Sequence, residues 1–210
     1  LIQRIQRIED ENRVKEFTIF TSVDGWGSQA EYMRNGLIFN KFWDNVNKVL
    51  TKCSRVSLTF MSTYNALSVP SYKKLLDGIY ELKKSYGSED RYWNSAVFLD
   101  SSYLRHPTHQ TVQVLPQKWS NEILQQAQYA DYLAVPLFDS HHIGYSDIEV
   151  QKLKRIFDWM ISASDKTAIN RQRYNFGKFF KEHDIRRGTN FKETFPEFAE
   201  FYDDCQRIKL

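Results

Sequence analysis

The chain has 210 residues, of which 41% are hydrophobic and 26% charged, so it is expected to bury a core rather than to be disordered, collagen-like or of low complexity. Its formal net charge of +3 predicts by itself neither a nucleic-acid-binding nor a membrane-binding surface. The two cysteines, Cys53 and Cys205, lie far apart in sequence and predict neither a disulfide framework nor a thiolate metal site, so a reducing, cytoplasmic setting is expected.

The first half of the sequence alternates predicted helices and strands. Apolar residues at helical spacing in the first eight positions predict a helix, and further helices are expected over 29–35 and after Asn40, which is a candidate cap. Runs rich in β-branched and aromatic residues predict buried strands over 17–21, 56–61 and 95–99. Strands joined by helices at this spacing are typical of parallel βαβ units, so the fold class is α/β. The central strand is then expected to be buried on both faces.

The second half changes character. Residues 111–115 resemble another strand, residues 117–130 a helix, and residues 131–147 a loop or linker. Three helices are expected over 148–210, the last beginning at a capping box of Thr194 and Glu197. Aromatic residues at helical spacing there predict a packed cluster of Phe176, Phe179, Phe180, Phe195, Phe198 and Phe201.

Polar residues are concentrated where the predicted strands end. In parallel sheets ligands bind beyond the carboxyl ends of the strands, because loops and helix N-termini converge there. The residues at these ends are Ser22, Asp24, Thr63, Asn65 and Asp100.

Ser22, Asp24 and Arg34 together have the chemistry to hold an amino acid moiety. A hydroxyl and a carboxylate accept hydrogen bonds from an ammonium or a ribose hydroxyl, and a guanidinium binds a carboxylate. The alternative is an Asx turn beside a solvated arginine. Asn65 has the same two interpretations, since it can bond a ligand hydroxyl or close its own turn.

Two other patterns carry weaker functional interpretations. His141 and His142 are adjacent and point in different directions, which favours a surface loop over a metal site. Basic and aromatic residues alternate between Arg186 and Phe195, a pattern compatible with stacking on single-stranded nucleic acid. We favour the alternative, in which the aromatics are core residues and the arginines pair with acidic neighbours, so nucleic acid is not an expected partner.

The sequence resembles the fourth strand and following helix of radical S-adenosylmethionine enzymes, particularly the branch with twitch-type auxiliary domains. The resemblance rests on Ser22-Val23-Asp24-Gly25 and on Ala30-Glu31-Tyr32-Met33-Arg34-Asn35-Gly36-Leu37, with Phe42, Asn45 and Val46 after them. It continues through residues 58–63 and 65–68, and near the C-terminus through Phe179-Phe180, Asp184, residues 186–191 and Phe195-Pro196-Glu197. It therefore extends over most of the chain.

This resemblance implies a partial (β/α) TIM-like barrel, followed by a C-terminal helical region. In that family a 4Fe-4S iron-sulfur cluster binds S-adenosylmethionine and cleaves it to a 5′-deoxyadenosyl radical. By resemblance, Ser22 and Asp24 would hold the amino and ribose groups of the cofactor, Arg34 its carboxylate, and Asn65 a ribose hydroxyl. The CxxxCxxC loop that ligates the cluster is absent from this sequence, in which only two cysteines are available.

Two interpretations follow. In the first, residues 1–130 are the later part of a radical S-adenosylmethionine barrel, 131–147 a linker and 148–210 a helical region, while a missing N-terminal part or partner subunit supplies the cluster ligands. The helical start without an initiator Met favours this interpretation. The substrate is not identified by the sequence, although a peptide is compatible with the family. In the second, the chain is a non-catalytic binding or scaffold module derived from the barrel. No membrane association is expected, since no stretch is long and apolar enough and the first residues do not resemble a signal peptide.

Overall fold

A sheet of three parallel strands organises the first half of the molecule. The structure is a computed structural model, and it describes residues 1–15, 17–87, 96–134, 143–163 and 165–209. In chain order the helices and strands are α1 (Ile2–Asp10), β1 (Phe17–Ser22), α2 (Gly27–Met33), α3 (Phe39–Lys52), β2 (Val56–Tyr64), α4 (Tyr72–Tyr86), β3 (Val97–Tyr103), α5 (Ser120–Tyr132), α6 (Asp147–Ile161), α7 (Lys166–Arg187), α8 (Phe191–Thr194) and α9 (Ala199–Arg207).

The strands lie in the order β1-β2-β3 and both pairs are parallel, which confirms the predicted α/β class and the adjacency of the three strands. The predicted strand ends were too early. Because Ser62, Thr63 and Tyr64 pair with residues 101–103, β2 and β3 extend together beyond their expected limits. Asp100 therefore lies inside β3 rather than at its end, and Ser95 lies outside the described residues.

The two faces of the sheet differ in burial. On one face, residues such as Leu58 are buried beneath α3 and α4 in the main hydrophobic cluster. On the other face, Thr59 is half-buried, Met61 and Thr63 are exposed, and Phe20 is 68% exposed. The expectation that the central strand is buried on both faces is therefore confirmed at its start, where Val56, Ser57 and Leu58 are all buried, and wrong at its carboxyl end, where Met61 and Thr63 are exposed. A parallel sheet normally has both faces covered, so the uncovered face is unusual.

Among the described residues, the outer edge of β3 contacts a buried ion pair and no further strand. Lys83 of α4 and Glu149 of α6 are only 2% and 4% exposed, and Lys83 Nζ lies 3.1 Å from Glu149 Oε1. Lys83 donates to the Val97 carbonyl at 2.9 Å, and the Leu99 N–H donates to Glu149 at 2.7 Å. Lys83 and Glu149 thus each form a hydrogen bond with a backbone group at the edge of β3.

Residues 111–115 are not a strand, contrary to prediction. They include a 3-10 turn over Val112–Val114, whose two valines are buried against the C-terminal helices. This burial accounts for the apolar residues that suggested a strand. At the edge of β3, backbone groups form hydrogen bonds with Lys83 and Glu149.

Two predicted helix caps are also wrong, because more distant side chains satisfy the helix ends. Asn40 lies within α3, which begins at Phe39, and the Phe39 N–H donates to the Glu31 carboxylate at 2.7 Å. Thr194 and Glu197 form no capping box: Thr194 donates to the carbonyl four residues earlier, and Glu197 accepts a hydrogen bond from α2.

The C-terminal helices share one hydrophobic cluster with the sheet and its helices. Five of the six predicted aromatic residues are buried in it, whereas Phe179 is 40% exposed. The division at residues 131–147 stays a prediction, and part of it, 135–142, lies outside the described residues. Among the described helices, none is long and apolar enough to cross a bilayer.

The ion pair at the β3 edge provides a test of this architecture. We expect Lys83→Met to lower the free energy of unfolding by about 3–5 kcal/mol, because it leaves the buried Glu149 carboxylate without its cation. The matched control is Lys84→Met, which removes an exposed i,i+3 partner of Glu81 and should change stability by less than about 0.5 kcal/mol. Urea denaturation followed by circular dichroism measures both, and equal losses would contradict the assignment.

The aromatic cluster is tested by a pair of phenylalanines. Phe198→Ala should cost about 3–5 kcal/mol, since the ring is fully buried against Trp119 and Phe195. Phe179→Ala should cost much less, because that ring is partly exposed. Thermal melts of the two variants would refute this burial pattern if Phe179→Ala were the more damaging change.

Candidate functional site

The loop after β1 carries Asp24 to the carboxyl end of the sheet. The Val23 N–H donates to the Met61 carbonyl at 3.1 Å, which holds the chain against β2 beyond the last residue of β1. Gly25 follows where space is tight, since a Cβ there would lie 2.7 Å from Ser71 Oγ. The same hydroxyl accepts the Trp26 N–H at 3.0 Å. The loop is therefore fixed on both sides of Asp24.

Asp24 is buried and bonded through both carboxylate oxygens. Oδ1 accepts the Thr63 N–H at 2.8 Å, and Oδ2 accepts Arg34 Nε at 2.8 Å. A carboxylate has about four acceptor positions, so two protein hydrogen bonds leave capacity for a ligand. Asp24 is oriented by the sheet and by Arg34 before any ligand binds.

Asn65 closes its own turn, as the alternative interpretation held. Its Oδ1 accepts the Leu67 N–H at 2.9 Å, its Nδ2 donates to the Thr63 carbonyl at 3.1 Å, and Ser68 completes the capping box. The residue nevertheless lines the cavity described below, so it faces the site with a fixed orientation.

A cavity of about 370 Å³ lies between the ends of β1 and β2 and helix α7. Of the four predicted site residues, Asp24 and Asn65 line it. Arg34 does not line the cavity but forms an ion pair with Asp24. Ser22 is exposed at the end of β1, on the same face as Phe20, and does not line the cavity. The structure therefore brings three of the four together and leaves Ser22 at the rim of the uncovered face.

Sequence reasoning missed the opposite wall of the cavity. Besides Asp24 and Asn65, the lining residues are Tyr32, Met33, Thr63, Leu67, Leu104, Gln110, Phe179, Phe180, His183 and Arg187. Phe179, His183 and Arg187 are spaced four residues apart, which places them on one helix face. This spacing is the sequence pattern from which a shared surface could have been predicted. Nothing local indicated that this face of α7 covers the end of the sheet.

His183 and Arg187 form a contact that fixes the histidine tautomer. Arg187 Nη1 lies 2.6 Å from His183 Nε2 and 3.0 Å from the Tyr32 carbonyl. Because arginine only donates, Nε2 accepts, and the proton of the neutral imidazole is on Nδ1. Nδ1 is buried without a hydrogen-bond partner in the described part of the chain. Burial and the neighbouring Arg187 charge lower the pKa of His183 below its usual value.

Tyr32 of α2 contacts the cavity-facing side of α7. Its hydroxyl donates to Asp184 at 2.8 Å, and its ring lies 4.5 Å from the His183 ring. Burial, followed by the Asp184 hydrogen bond, raises the pKa of Tyr32, so the phenol stays protonated and continues to donate. Asp184 also accepts the Phe191 N–H at 2.8 Å, which ties α7 to α8. The cavity wall is therefore part of a connected network.

The described residues do not fit an iron-sulfur cluster. Cys53 and Cys205 are both buried, and burial raises the pKa of the Cys205 thiol to about 12, which disfavours the thiolate that a metal requires. Within the described ranges, no group of three His, Cys, Asp or Glu side chains is placed to hold a metal. His141 and His142 lie outside those ranges.

The basic and aromatic segment near the C-terminus is packed inward. Phe191 and Phe195 are fully buried, and Lys192 Nζ contacts Asp203 at 2.5 Å. The rings are thus core residues, as the alternative interpretation held, and buried rings are not available to stack on bases. The expected pairing of the arginines holds only for Arg186, which lies 4.0 Å from Glu182, because Arg187 contacts His183 and the Tyr32 carbonyl instead.

Comparisons of the chain with protein families, with curated proteins and with solved structures find no match.

The environment of His183 predicts a pH dependence of stability. Because its pKa is lowered in the folded state, the unfolded state binds more protons as the pH falls toward and below about 6.5. The contribution of neutral His183 to the free energy of unfolding should be present near neutral pH and be lost on acidification. We expect His183→Gln to flatten the dependence of the melting temperature on pH between pH 7 and pH 5. Identical pH slopes for wild type and His183→Gln would contradict this.

Proposed function

We propose that this chain forms the later strands of a radical S-adenosylmethionine (β/α) barrel, and that an N-terminal part or partner subunit supplies the earlier strands and the cluster ligands. The uncovered face of the parallel sheet carries this proposal. Register places Phe20, Thr59 and Phe98 in one row across that face, and Ser22, Met61 and Asp100 in the next. Such rows are what the interior of a barrel presents.

The two edge strands of the sheet, β1 and β3, differ in what contacts them. The β3 edge is closed by Lys83 and Glu149, whereas β1 pairs with β2 alone among the described strands. Helix α1 packs beside β1 on the covered face, with Ile5 buried against Val56 and its neighbours. This is the position of a helix that follows an earlier parallel strand. Further strands added at β1 would bury the exposed Phe20 side chain.

The cavity supports the cofactor assignment. Its volume of about 370 Å³ is in the range of small-molecule sites. Asp24 has acceptor capacity for an ammonium or a ribose hydroxyl, and Asn65 is fixed at the cavity wall. Arg34 is engaged by Asp24, so it would reach a carboxylate only through its remaining N–H groups. In this proposal Asp24 and Asn65 would hold S-adenosylmethionine, whose reductive cleavage would depend on a cluster held by residues outside this chain.

Anaerobic reconstitution of the complete protein with iron and sulfide tests this function. Under dithionite it should release methionine and 5′-deoxyadenosine from S-adenosylmethionine. Asp24→Asn should weaken cofactor binding by about 1–3 kcal/mol, the range for a charge-assisted hydrogen bond. The matched control is Asp77→Asn, which removes an exposed carboxylate that pairs with Lys73 on α4 and should leave cofactor binding unchanged.

Two results would overturn the proposal in different ways. A folded complete protein that neither binds nor cleaves S-adenosylmethionine would leave the scaffold module as the better interpretation. Cleavage with equal cofactor affinity in Asp24→Asn and wild type would retain the activity and reject this cavity as the cofactor site.

A further inference from the structure

A second cavity lies at the carboxyl end of β3, apart from the one that contains Asp24. It has a volume of about 300 Å³ and lies between β3 and helix α6. Three cations and one carboxylate line it: Arg105, Lys152, Arg155 and Asp100. Its charge is therefore strongly positive for a chain whose overall net charge is only +3.

The charges in this cavity are not balanced by the described residues around them. Lys152 Nζ contacts Asp100 Oδ1 at 2.5 Å. Arg105 and Arg155 form no ion pair with a carboxylate in the described part of the chain; the polar contact of Arg105 is with the Tyr103 hydroxyl at 3.0 Å. The one carboxylate at the cavity thus neutralises the lysine and leaves two guanidinium groups available.

The cavity is built on rigid elements. The Tyr103 ring stacks on Trp159 of α6 at a centroid distance of 5.1 Å. The Arg105 guanidinium lies 5.3 Å from the centroid of the same Tyr103 ring. Lys152 and Arg155 project from α6, which Glu149 fastens to the β3 edge. The spacing of the cations is therefore set by the sheet and α6 rather than by loop side chains alone.

We propose that Arg105, Arg155 and Lys152 bind an oxyanion group, a carboxylate or a phosphate, carried by the substrate of this protein. Guanidinium groups suit both anions because they donate parallel hydrogen bonds to two oxygens. Asp100 occupies part of the site in the free protein by holding Lys152. The assignment of the anion to the substrate rests on the proposed function, whereas anion binding by the three cations does not.

The direct test titrates inorganic phosphate, and separately succinate, into the protein at constant ionic strength. Binding is followed by calorimetry and by the ¹H–¹⁵N indole signal of Trp159. Wild type should show saturable binding in the millimolar range or tighter. Arg105→Gln and Arg155→Gln should each weaken it about tenfold, as expected for loss of one charge-assisted hydrogen bond.

Two further variants distinguish binding at this cavity from a general effect of charge. Asp100→Asn removes the competing carboxylate, so phosphate affinity should increase several-fold while both arginine variants lose affinity. Arg171→Gln removes an exposed arginine of α7 away from the cavity and should leave binding unchanged. If Asp100→Asn proves unstable in a thermal melt, the contrast of the two cavity arginines with Arg171 decides the result.

Each outcome has a defined meaning. Saturable phosphate binding without succinate binding identifies a phosphate site, the reverse identifies a carboxylate site, and binding of both supports the shared oxyanion chemistry. Absence of saturable binding, or an equal loss in Arg171→Gln and the cavity variants, would overturn the proposal. Because no cofactor is present in these titrations, failure of the radical function would leave their result intact.

Discussion

The buried pair of Lys83 and Glu149 determines where the sheet ends. Two opposite charges that are almost fully removed from water are stable only when their hydrogen bonds are satisfied, and here the Val97 carbonyl and the Leu99 N–H of β3 supply part of them. The Ser146 N–H and hydroxyl supply two more to Glu149. The pair therefore connects α4, β3 and α6, and it occupies the edge on which a further strand would add. Within the described residues, the edge of the sheet that lacks such contacts is that of β1.

This asymmetry relates the fold to the candidate site. The closed β3 edge holds α6 along the sheet, while the β1 edge and the face bearing Phe20 lack cover from the described residues. Asp24 follows β1 on this open side, yet its carboxylate is turned back toward β2 by the Thr63 N–H and Arg34. The polar cavity is consequently preorganised even though one face of the sheet beside it lacks cover from the described residues.

The sequence predicted the parts of the structure that depend on local pattern, namely the parallel strands, the α/β class and most of the helices. It also placed Asp24 and Asn65 at strand ends, because these positions follow directly from strand periodicity. It failed where distant groups decide the outcome. Asn40 does not cap α3 because Glu31 does so, and the valines of residues 111–115 are buried against α6 and α7 in a 3-10 turn rather than in the sheet. His183 was missed because its helix reaches the cavity only through tertiary packing.

The two cavities at the carboxyl end share one backbone segment. Leu104 lines the cavity of Asp24, and the next residue, Arg105, lines the cationic cavity. The Leu104 N–H donates to the Tyr64 carbonyl at 2.8 Å, which extends the β2–β3 pairing by one residue and fixes this segment. Tyr103 and Arg105, on either side of Leu104, both line the cationic cavity, so this one segment contributes a wall to each cavity. Because the segment is fixed by the pairing of β2 with β3, the spacing between the two cavities is set by the sheet.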